Sequence, residues 1–293
     1  MKILLTGKNG QVGFELLKKL NTLGEVIATD RQELDLANPQ AIRDFIDQTK
    51  PNIIINAAAY TAVDKAESDS ELCYQINVVA TEVLTEKAIE LNIPLVYFST
   101  DYVFDGLKKG SYTETDQTNP QSVYGKTKYE GEERVRKHPK HIILRASWVF
   151  GSHGSNYLKT ILRLITEKKS LSIVVDQWGS PASASMLADV TFKIVDEIFK
   201  NKNFNDYGTY HVTNEGETNW HQYASLIATE AMQLGLKIKC EANHIRPILT
   251  SEYPTAAKRP LNSRLNTEKL KKTFMLELPH WELEVKKVLR GLI

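Results

Sequence analysis

A chain of 293 residues with 42% apolar and 25% charged residues has the composition of a globular protein with a sizeable core. Its 37 basic and 36 acidic residues are mixed and leave a net charge of +1, which argues against nucleic-acid or membrane partners. Cys73 and Cys240 lack metal-ligand or disulfide spacing, and the histidines show no metal-ligand spacing either. The N-terminal residues lack the apolar length of a signal peptide or membrane span, so we expect a cytoplasmic protein.

The first half of the chain alternates short apolar runs with longer helical patterns. The runs are rich in β-branched residues and predict strands at 2–6, 25–29, 52–56, 94–99 and 141–147. Helical spacing between them predicts helices at 11–21, 71–92 and 122–138. This regular alternation predicts an α/β fold with a Rossmann-type, doubly wound parallel sheet.

The pattern becomes less regular after about residue 150. Helices are expected at 156–168, 186–200, 219–234 and 281–292, with strand-like stretches at 172–176 and 210–213. QWGSPAS at 177–183 is rich in turn-forming residues. We expect a dinucleotide-binding domain at 1–150, with 184–213 returning to its sheet. Residues 151–183 and 214–293 would then form a smaller C-terminal lobe.

The first predicted strand is followed by the glycine pattern GxxGxxG, formed by Gly7, Gly10 and Gly13. A glycine turn between a strand and a helix brings backbone N–H groups and a helix N-terminus close to a pyrophosphate, which predicts a dinucleotide site. The second strand ends at Asp30, a residue type that binds ribose hydroxyls, and Arg31, a type that accepts a 2′-phosphate. Both NADH and NADPH therefore remain candidates.

The stretch VYGKTKYEGE has two incompatible interpretations. Gly125–Thr127 could end a Walker-type phosphate loop, but that loop needs a glycine at position 120, where the chain has Pro120. Alternatively, 122–138 is a helix on which Tyr124 and Lys128, four residues apart, share a face. Because a nearby ammonium lowers the pKa of a phenol, the second interpretation predicts a general acid with its tuning cation.

The glycine loop, Thr100 at the end of the fourth strand, and the Tyr124-x-x-x-Lys128 pair together resemble the extended short-chain dehydrogenases/reductases. The resemblance runs nearly end to end and includes NAAAYTAVDKAE (56–67), STDYVFDG (99–106), RASWVFG (145–151) and RPLNSRLNTEKL (259–270). It implies reduction of the C4 keto group of dTDP-4-dehydro-β-L-rhamnose to dTDP-L-rhamnose by NADPH or NADH, for a bacterial cell-surface polysaccharide. It also implies that the C-terminal lobe binds the nucleotide sugar.

The resemblance assigns roles to individual residues. Tyr124 would donate the proton, while Lys128 would bind the nicotinamide ribose and Thr100 would assist. The residues expected to bind the cofactor are Gly7, Gly10, Gln11, Val12, Gly13, Asp30, Arg31, Asp35, Leu36, Ala59, Tyr60, Thr61, Tyr124 and Lys128. Those expected to bind the substrate are Thr100, Asp101, Trp148, Arg259 and Asn262.

Two alternatives remain open at this point. One is another reductase or epimerase of nucleotide 4-keto-6-deoxyhexoses, or a dehydratase; Asp101-Tyr102 in place of Asp-Glu argues against a dehydratase. The other is a non-catalytic, reductase-like regulatory subunit. Some related enzymes form a metal-bridged dimer through glutamates, but only Glu15 is present and Ser185 replaces its counterpart. This replacement argues against a metal-dependent dimer, so we expect a monomer or homodimer, with Mg²⁺ left as an open alternative.

Overall fold

The computed structural model describes all 293 residues and has a six-stranded parallel sheet at its centre. The strands of the chain are β1 (Lys2–Thr6), β2 (Glu25–Thr29), β3 (Ile53–Asn56), β4 (Leu95–Thr100), β5 (His141–Ala146), β6 (Val149–Phe150), β7 (Leu171–Val174), β8 (Trp178–Gly179), β9 (Ala182–Ser183), β10 (Gly208–His211), β11 (Thr218–Asn219), β12 (Ile245–Ile248) and β13 (Asn262–Ser263). The predicted α/β fold class is confirmed.

Helices cover both faces of this sheet and build a second layer after β5. They are α1 (Gln11–Leu20), α2 (Pro39–Thr49), α3 (Val63–Ala66), α4 (Ser70–Tyr74), α5 (Ala80–Glu90), α6 (Val123–Val135), α7 (Tyr157–Glu167), α8 (Ala184–Lys200), α9 (Trp220–Gln233), α10 (Glu268–Phe274) and α11 (Trp281–Leu292). Short 3₁₀ turns occur at Asp101–Val103, Ala242–His244 and Thr250–Glu252. None of the helices combines the length and apolarity that a membrane span requires.

The strand order of the main sheet is β10-β5-β4-β3-β1-β2. The chain leaves β1 toward β2 on one side and then returns to β3 on the other, so the order reverses between β1 and β3. Open parallel sheets bind ligands at such a reversal, outside the carboxyl ends of the strands. The glycine loop follows β1 and therefore begins at this place.

Successive residues of each central strand point to opposite faces of the sheet. Ile3 and Leu5 pack with Leu187 of α8 on one face, whereas Leu4 packs with Leu84 of α5 on the other. All five side chains are fully buried. Because both faces of these strands are buried, their sequences are continuous apolar runs. Each fully buried apolar side chain stabilises the fold by roughly 1.5–3 kcal/mol.

The C-terminal lobe has a separate core built by α7, α9 and α11. Ile161, Ile227 and Val285 lie at its centre, and none of them is more than 1% exposed. The segment containing α10 differs from the expected division, because Leu270 and Phe274 pack in the core of the main sheet. The predicted lobe at 214–293 is therefore interrupted by a helix that covers the edge strand β10.

Two further elements differ from the sequence prediction. The helix expected at 71–92 contains a π-helical turn at Gln75–Val79 between α4 and α5. The extra residue of this turn brings Asn77 to the loop after β3, where its Oδ1 accepts from Tyr60 N at 2.9 Å. The turn-rich stretch 177–183 contains the short strands β8 and β9, which pair with β11, β13 and β6.

Candidate active site

A cavity of about 770 Å³ lies between the carboxyl ends of the sheet strands and the C-terminal lobe. A smaller pocket of about 190 Å³ adjoins it at the ends of β1, β2 and β3 and shares Gly7, Ala58 and Ala59 with it. The predicted residues lining the large cavity are Gly7, Gly10, Gln11, Val12, Ala59, Thr61, Thr100, Asp101, Tyr124, Lys128, Trp148 and Arg259. Asp30, Arg31, Asp35 and Leu36 line the smaller pocket.

The glycine loop has a shape that only glycines allow. Gly7 has a φ of +77°, and a Cβ there would lie 2.8 Å from the backbone of Ala58. Its N–H donates to Thr29 O at 2.8 Å, which holds the loop against β2. A Cβ at Gly13 would lie 2.0 Å from Gly7 O, so this glycine allows α1 to start directly against the loop and does not itself line the cavity.

Residues after β6 close over the glycine loop from the C-terminal lobe. Asn156 donates from Nδ2 to Gln11 Oε1 at 2.9 Å, and the His153 ring stacks on Phe14 with centroids 4.0 Å apart. His153 Nε2 also lies 3.0 Å from Asn9 O. These contacts could not be predicted from the sequence, because no motif or spacing connects residues about 145 positions apart.

Helix α6 presents Tyr124 and Lys128 to the cavity. Ser122 caps the helix by accepting from Gly125 N at 3.1 Å, which places Tyr124 in its first turn. Gly125 allows close approach to the loop after β4, because a Cβ there would lie 2.3 Å from Tyr102 O. Thr100 ends β4 on the same side of the cavity. The structure thus brings together the hydroxyl, phenol and ammonium of the predicted constellation.

The expected effect of Lys128 on the pKa of Tyr124 is not found. Loss of hydration raises the pKa of Tyr124 above its ordinary value, and a hydrogen bond with Thr100 only partly offsets it. Lys128 instead donates from Nζ to Phe98 O at 2.7 Å and lies 4.0 Å from the centroid of the Tyr97 ring. Burial lowers the pKa of Lys128 to about 7. Tyr124 is therefore a protonated phenol at neutral pH.

Asp101 is a buried carboxyl group in the wall of the cavity. It is 3% exposed, its Oδ1 accepts from Thr100 Oγ1 at 3.0 Å, and its Oδ2 has no hydrogen-bond partner. Burial raises the pKa of Asp101 to about 6. An unsatisfied buried oxygen in a ligand cavity costs stability, and it is available to a donor on a ligand.

We expect Asp101→Asn to be more stable than the wild type at pH 8 and about equally stable at pH 4. The pKa of Asp101 is higher in the folded chain than its ordinary 3.8. The protonated carboxyl therefore contributes its full share to the unfolding free energy below pH 3.8, and this contribution is lost as pH rises through about 6. The difference in unfolding free energy at pH 8 should be roughly 2–3 kcal/mol. Chemical unfolding of both proteins at the two pH values measures it.

Asp105→Asn is the matched control, and we expect it to change stability at pH 8 in the opposite direction. The backbone N–H of Leu107 lowers the pKa of Asp105, so removal of that carboxylate should destabilise the chain at pH 8. An Asp101→Asn variant that is less stable than the wild type at pH 8 would contradict the assignment of a strained, buried carboxylate.

Two tryptophans form the wall on the side of the C-terminal lobe. Trp148 has a φ of +50° and stacks on Trp220 with ring centroids 3.6 Å apart. Gly179 leaves space for the Trp148 ring, since a Cβ there would lie 2.7 Å from it. Trp220 donates from Nε1 to Gln177 Oε1 at 3.0 Å, which fixes its orientation. The pair provides a flat apolar surface on this side of the cavity.

Arg259 stands at the cavity mouth between the two layers. It donates from Nη1 to Tyr102 OH at 3.0 Å and from Nη2 to Asp64 Oδ2 at 2.5 Å. Asn262 lines neither pocket, because its Nδ2 donates to Lys108 O and Gly110 O, both at 2.7 Å. Tyr60 also lines neither pocket, and its hydroxyl donates to Asp69 Oδ2 at 3.0 Å.

The family described as "RmlD substrate binding domain" matches residues 1–293. The dTDP-4-dehydrorhamnose reductase of Salmonella typhimurium is 44% identical over 99% of this chain and 97% of its own length. The chain belongs to this reductase family. The enzyme of the same name from Escherichia coli K12 is 42% identical over 100% of this chain and 98% of its own length.

Solved structures of reductases in this family have the same fold. The dTDP-4-dehydrorhamnose reductase of Clostridium acetobutylicum superposes with a TM-score of 0.91 at 40% identity, covering 100% of this chain and 99% of its own. The Bacillus anthracis reductase, solved in complex with NADP, superposes with a TM-score of 0.88 at 33% identity, and the match covers 99% of each chain. The fold is also shared by a dTDP-glucose 4,6-dehydratase from Streptomyces venezuelae, which superposes with a TM-score of 0.81 at 15% identity.

The reductase chain has no group of three or more His, Cys, Asp or Glu side chains placed to hold a metal ion. Glu15 accepts from Lys18 Nζ at 3.1 Å on the surface of α1. Ser185 donates from Oγ to Glu284 Oε2 at 3.0 Å. Each of these two positions thus has a partner within the chain.

Proposed function

We propose that the chain transfers a hydride from NADPH or NADH to C4 of dTDP-4-dehydro-β-L-rhamnose and thereby forms dTDP-L-rhamnose. One observation carries this proposal: Tyr124, Thr100 and Lys128 line a single cavity together with the glycine loop, in a chain that belongs to this reductase family. The nicotinamide cofactor, when bound, supplies the hydride.

The residues present fit a dinucleotide. Gly7 and Gly10 leave the backbone of the loop uncovered, and Ala57 and Ala59 keep side chains short where the cavity meets β3. We assign the pyrophosphate to the glycine loop and the adenosine half to the smaller pocket. Lys128 would bind the nicotinamide ribose, because it brings an ammonium group from α6 to the lining of the cavity.

We assign proton donation to Tyr124. A carbonyl that gains a hydride at carbon must gain a proton at oxygen, and a phenol held protonated by its surroundings can give that proton. The Thr100 hydroxyl would hold the same oxygen after turning from Asp101 Oδ1, to which it donates in the structure, and the free Oδ2 of Asp101 would accept from a sugar hydroxyl.

We assign the nucleotide-sugar site to the C-terminal lobe, formed by 151–183 and 214–293, with α10 covering the main sheet. The stacked Trp148 and Trp220 would contact the sugar. Arg259 would release its present partner, Asp64, and bind the diphosphate instead. We assign Asn262 a supporting role near this site, because its amide donates to the loop at 108–110 and fixes that loop's position. We propose a cytoplasmic monomer or homodimer that needs no Mg²⁺.

Oxidation of NADPH and of NADH by the purified chain with freshly generated dTDP-4-dehydro-L-rhamnose tests this function. We expect turnover that requires the sugar nucleotide and that is unaffected by EDTA. The product should be dTDP-L-rhamnose by chromatography. A folded chain that binds the cofactor without turning over this sugar would instead be a reductase for another sugar nucleotide or a regulatory subunit.

A further inference from the structure

Four charged side chains lie in or beside the smaller pocket: Lys8, Asp30, Arg31 and Glu33. Asp30 and Arg31 line the pocket itself, while Lys8 comes from the glycine loop and Glu33 from the turn after β2. Under the proposed function, this pocket holds the adenosine half of the cofactor. The charges that face the 2′ position of its ribose then decide between a hydroxyl and a phosphate.

Asp30 has hydrogen-bond donors on both carboxylate oxygens. Its Oδ1 accepts from Gln32 N at 2.8 Å, and its Oδ2 accepts from Asn9 Nδ2 at 2.6 Å. Lys8 Nζ lies 3.9 Å from Oδ2. Because these donors already compensate the charge, Asp30 repels a 2′-phosphate less than a free carboxylate would.

Glu33 holds Lys8 on the other side of this turn. Its Oε2 accepts from Asp30 N at 2.8 Å, and its Oε1 forms an ion pair with Lys8 Nζ. Arg31 is exposed and forms no ion pair. Of these two cations, Lys8 is therefore engaged by Glu33, and Arg31, which lines the pocket, is free.

We propose that Glu33 sets the preference between NADPH and NADH, because it withholds Lys8 from a 2′-phosphate and leaves Arg31 as the only free cation. This rests on the proposed function. The Glu33–Lys8 pair must open before Lys8 can bind the phosphate, which weakens NADPH binding without changing contacts to NADH. Asp30, the residue that usually discriminates at the end of β2, is secondary in this chain.

Dissociation constants of the full-length chain for NADPH and for NADH, measured by calorimetry, test the proposal. Glu33→Gln keeps an oxygen for Asp30 N and removes only the charge, so it should raise the affinity ratio in favour of NADPH about fivefold. Lys8→Ala alone should change the ratio by less than about twofold. Arg31→Ala should weaken NADPH binding about tenfold and leave NADH binding unchanged.

The double variant Glu33→Gln/Lys8→Ala decides between two mechanisms. A return to the wild-type ratio is expected if Lys8 provides the gain. Retention of the gain would show direct repulsion of the phosphate by Glu33 and would overturn the role of Lys8. An unchanged ratio in Glu33→Gln would overturn the proposal as a whole.

Adenosine 2′,5′-bisphosphate and 5′-AMP separate this proposal from the proposed function. Both probes lack nicotinamide, so their relative affinities report the adenosine pocket alone. We expect Glu33→Gln to raise the affinity for the bisphosphate about fivefold and to leave that for 5′-AMP unchanged. Absence of turnover with the sugar nucleotide would count against the reductase activity only. If the chain bound neither the cofactors nor the probes, both proposals would be wrong.

Discussion

Replacement of Tyr124 by phenylalanine is expected to lower kcat about 100- to 10,000-fold while the dissociation constants of NADPH and NADH stay within about twofold. Burial lowers the pKa of Lys128 to about 7, so the phenol of Tyr124 is the group of the constellation that stays fully protonated at neutral pH. Its surroundings keep it protonated, since burial raises the pKa of Tyr124 and the ammonium of Lys128 lies against Phe98 O. Initial-rate kinetics and cofactor calorimetry on the same preparations measure both quantities.

Tyr102→Phe is the matched control for this prediction. The two rings lie edge to face with centroids 5.5 Å apart, and both residues line the cavity. Tyr102 differs in that its hydroxyl is engaged by Arg259 Nη1 at 3.0 Å. We expect the control to alter KM for the sugar nucleotide more than kcat. If Tyr124→Phe kept kcat within about threefold of the wild type, another group would have to protonate the C4 oxygen.

The strands were predicted because their signal is local. Each central strand is buried on both faces, so a short window of sequence contains the whole pattern, as in Ile53–Asn56. Strands β8 and β9 have only two residues each and carry no periodicity, so the sequence predicts only turns in their region. Helix α2 was missed although its start has a readable signal: Asn38 caps the helix and Pro39 occupies its first position.

The candidate site was predicted where motif residues follow a strand or share a helix face. Tyr124, Lys128 and Thr100 belong to this group, and the structure places all three around one cavity. Asn156 was missed and Trp220 was expected only to pack in a core, because both reach the cavity only after the C-terminal lobe has packed on the main sheet. The direction of the pKa shift of Tyr124 was also wrong, because desolvation depends on tertiary packing that a four-residue spacing does not contain.

A buried ion pair behind the site supports both the fold and the position of Lys128. Glu132 is 0% exposed, and its oxygens accept from Arg145 Nε at 2.8 Å and Nη2 at 2.7 Å. Burial alone would raise the pKa of Glu132, but the hydrogen bonds and charge of Arg145 outweigh it and hold that pKa below its ordinary value. Glu132 lies one helical turn after Lys128, and its charge in turn favours the ammonium.

Arg145→Met is expected to lower the free energy of unfolding by about 3–5 kcal/mol, because it leaves the buried Glu132 carboxylate with the partly exposed Arg136 as its one remaining ion pair. Glu132→Gln/Arg145→Met removes both charges and should recover most of that loss. Arg136→Met is the control: this arginine is 31% exposed, so its loss should cost at most about 1 kcal/mol. Denaturant unfolding of the four proteins measures the series. Equal losses in the single and double variants would show that packing around Arg145, and not its charge, stabilises this region.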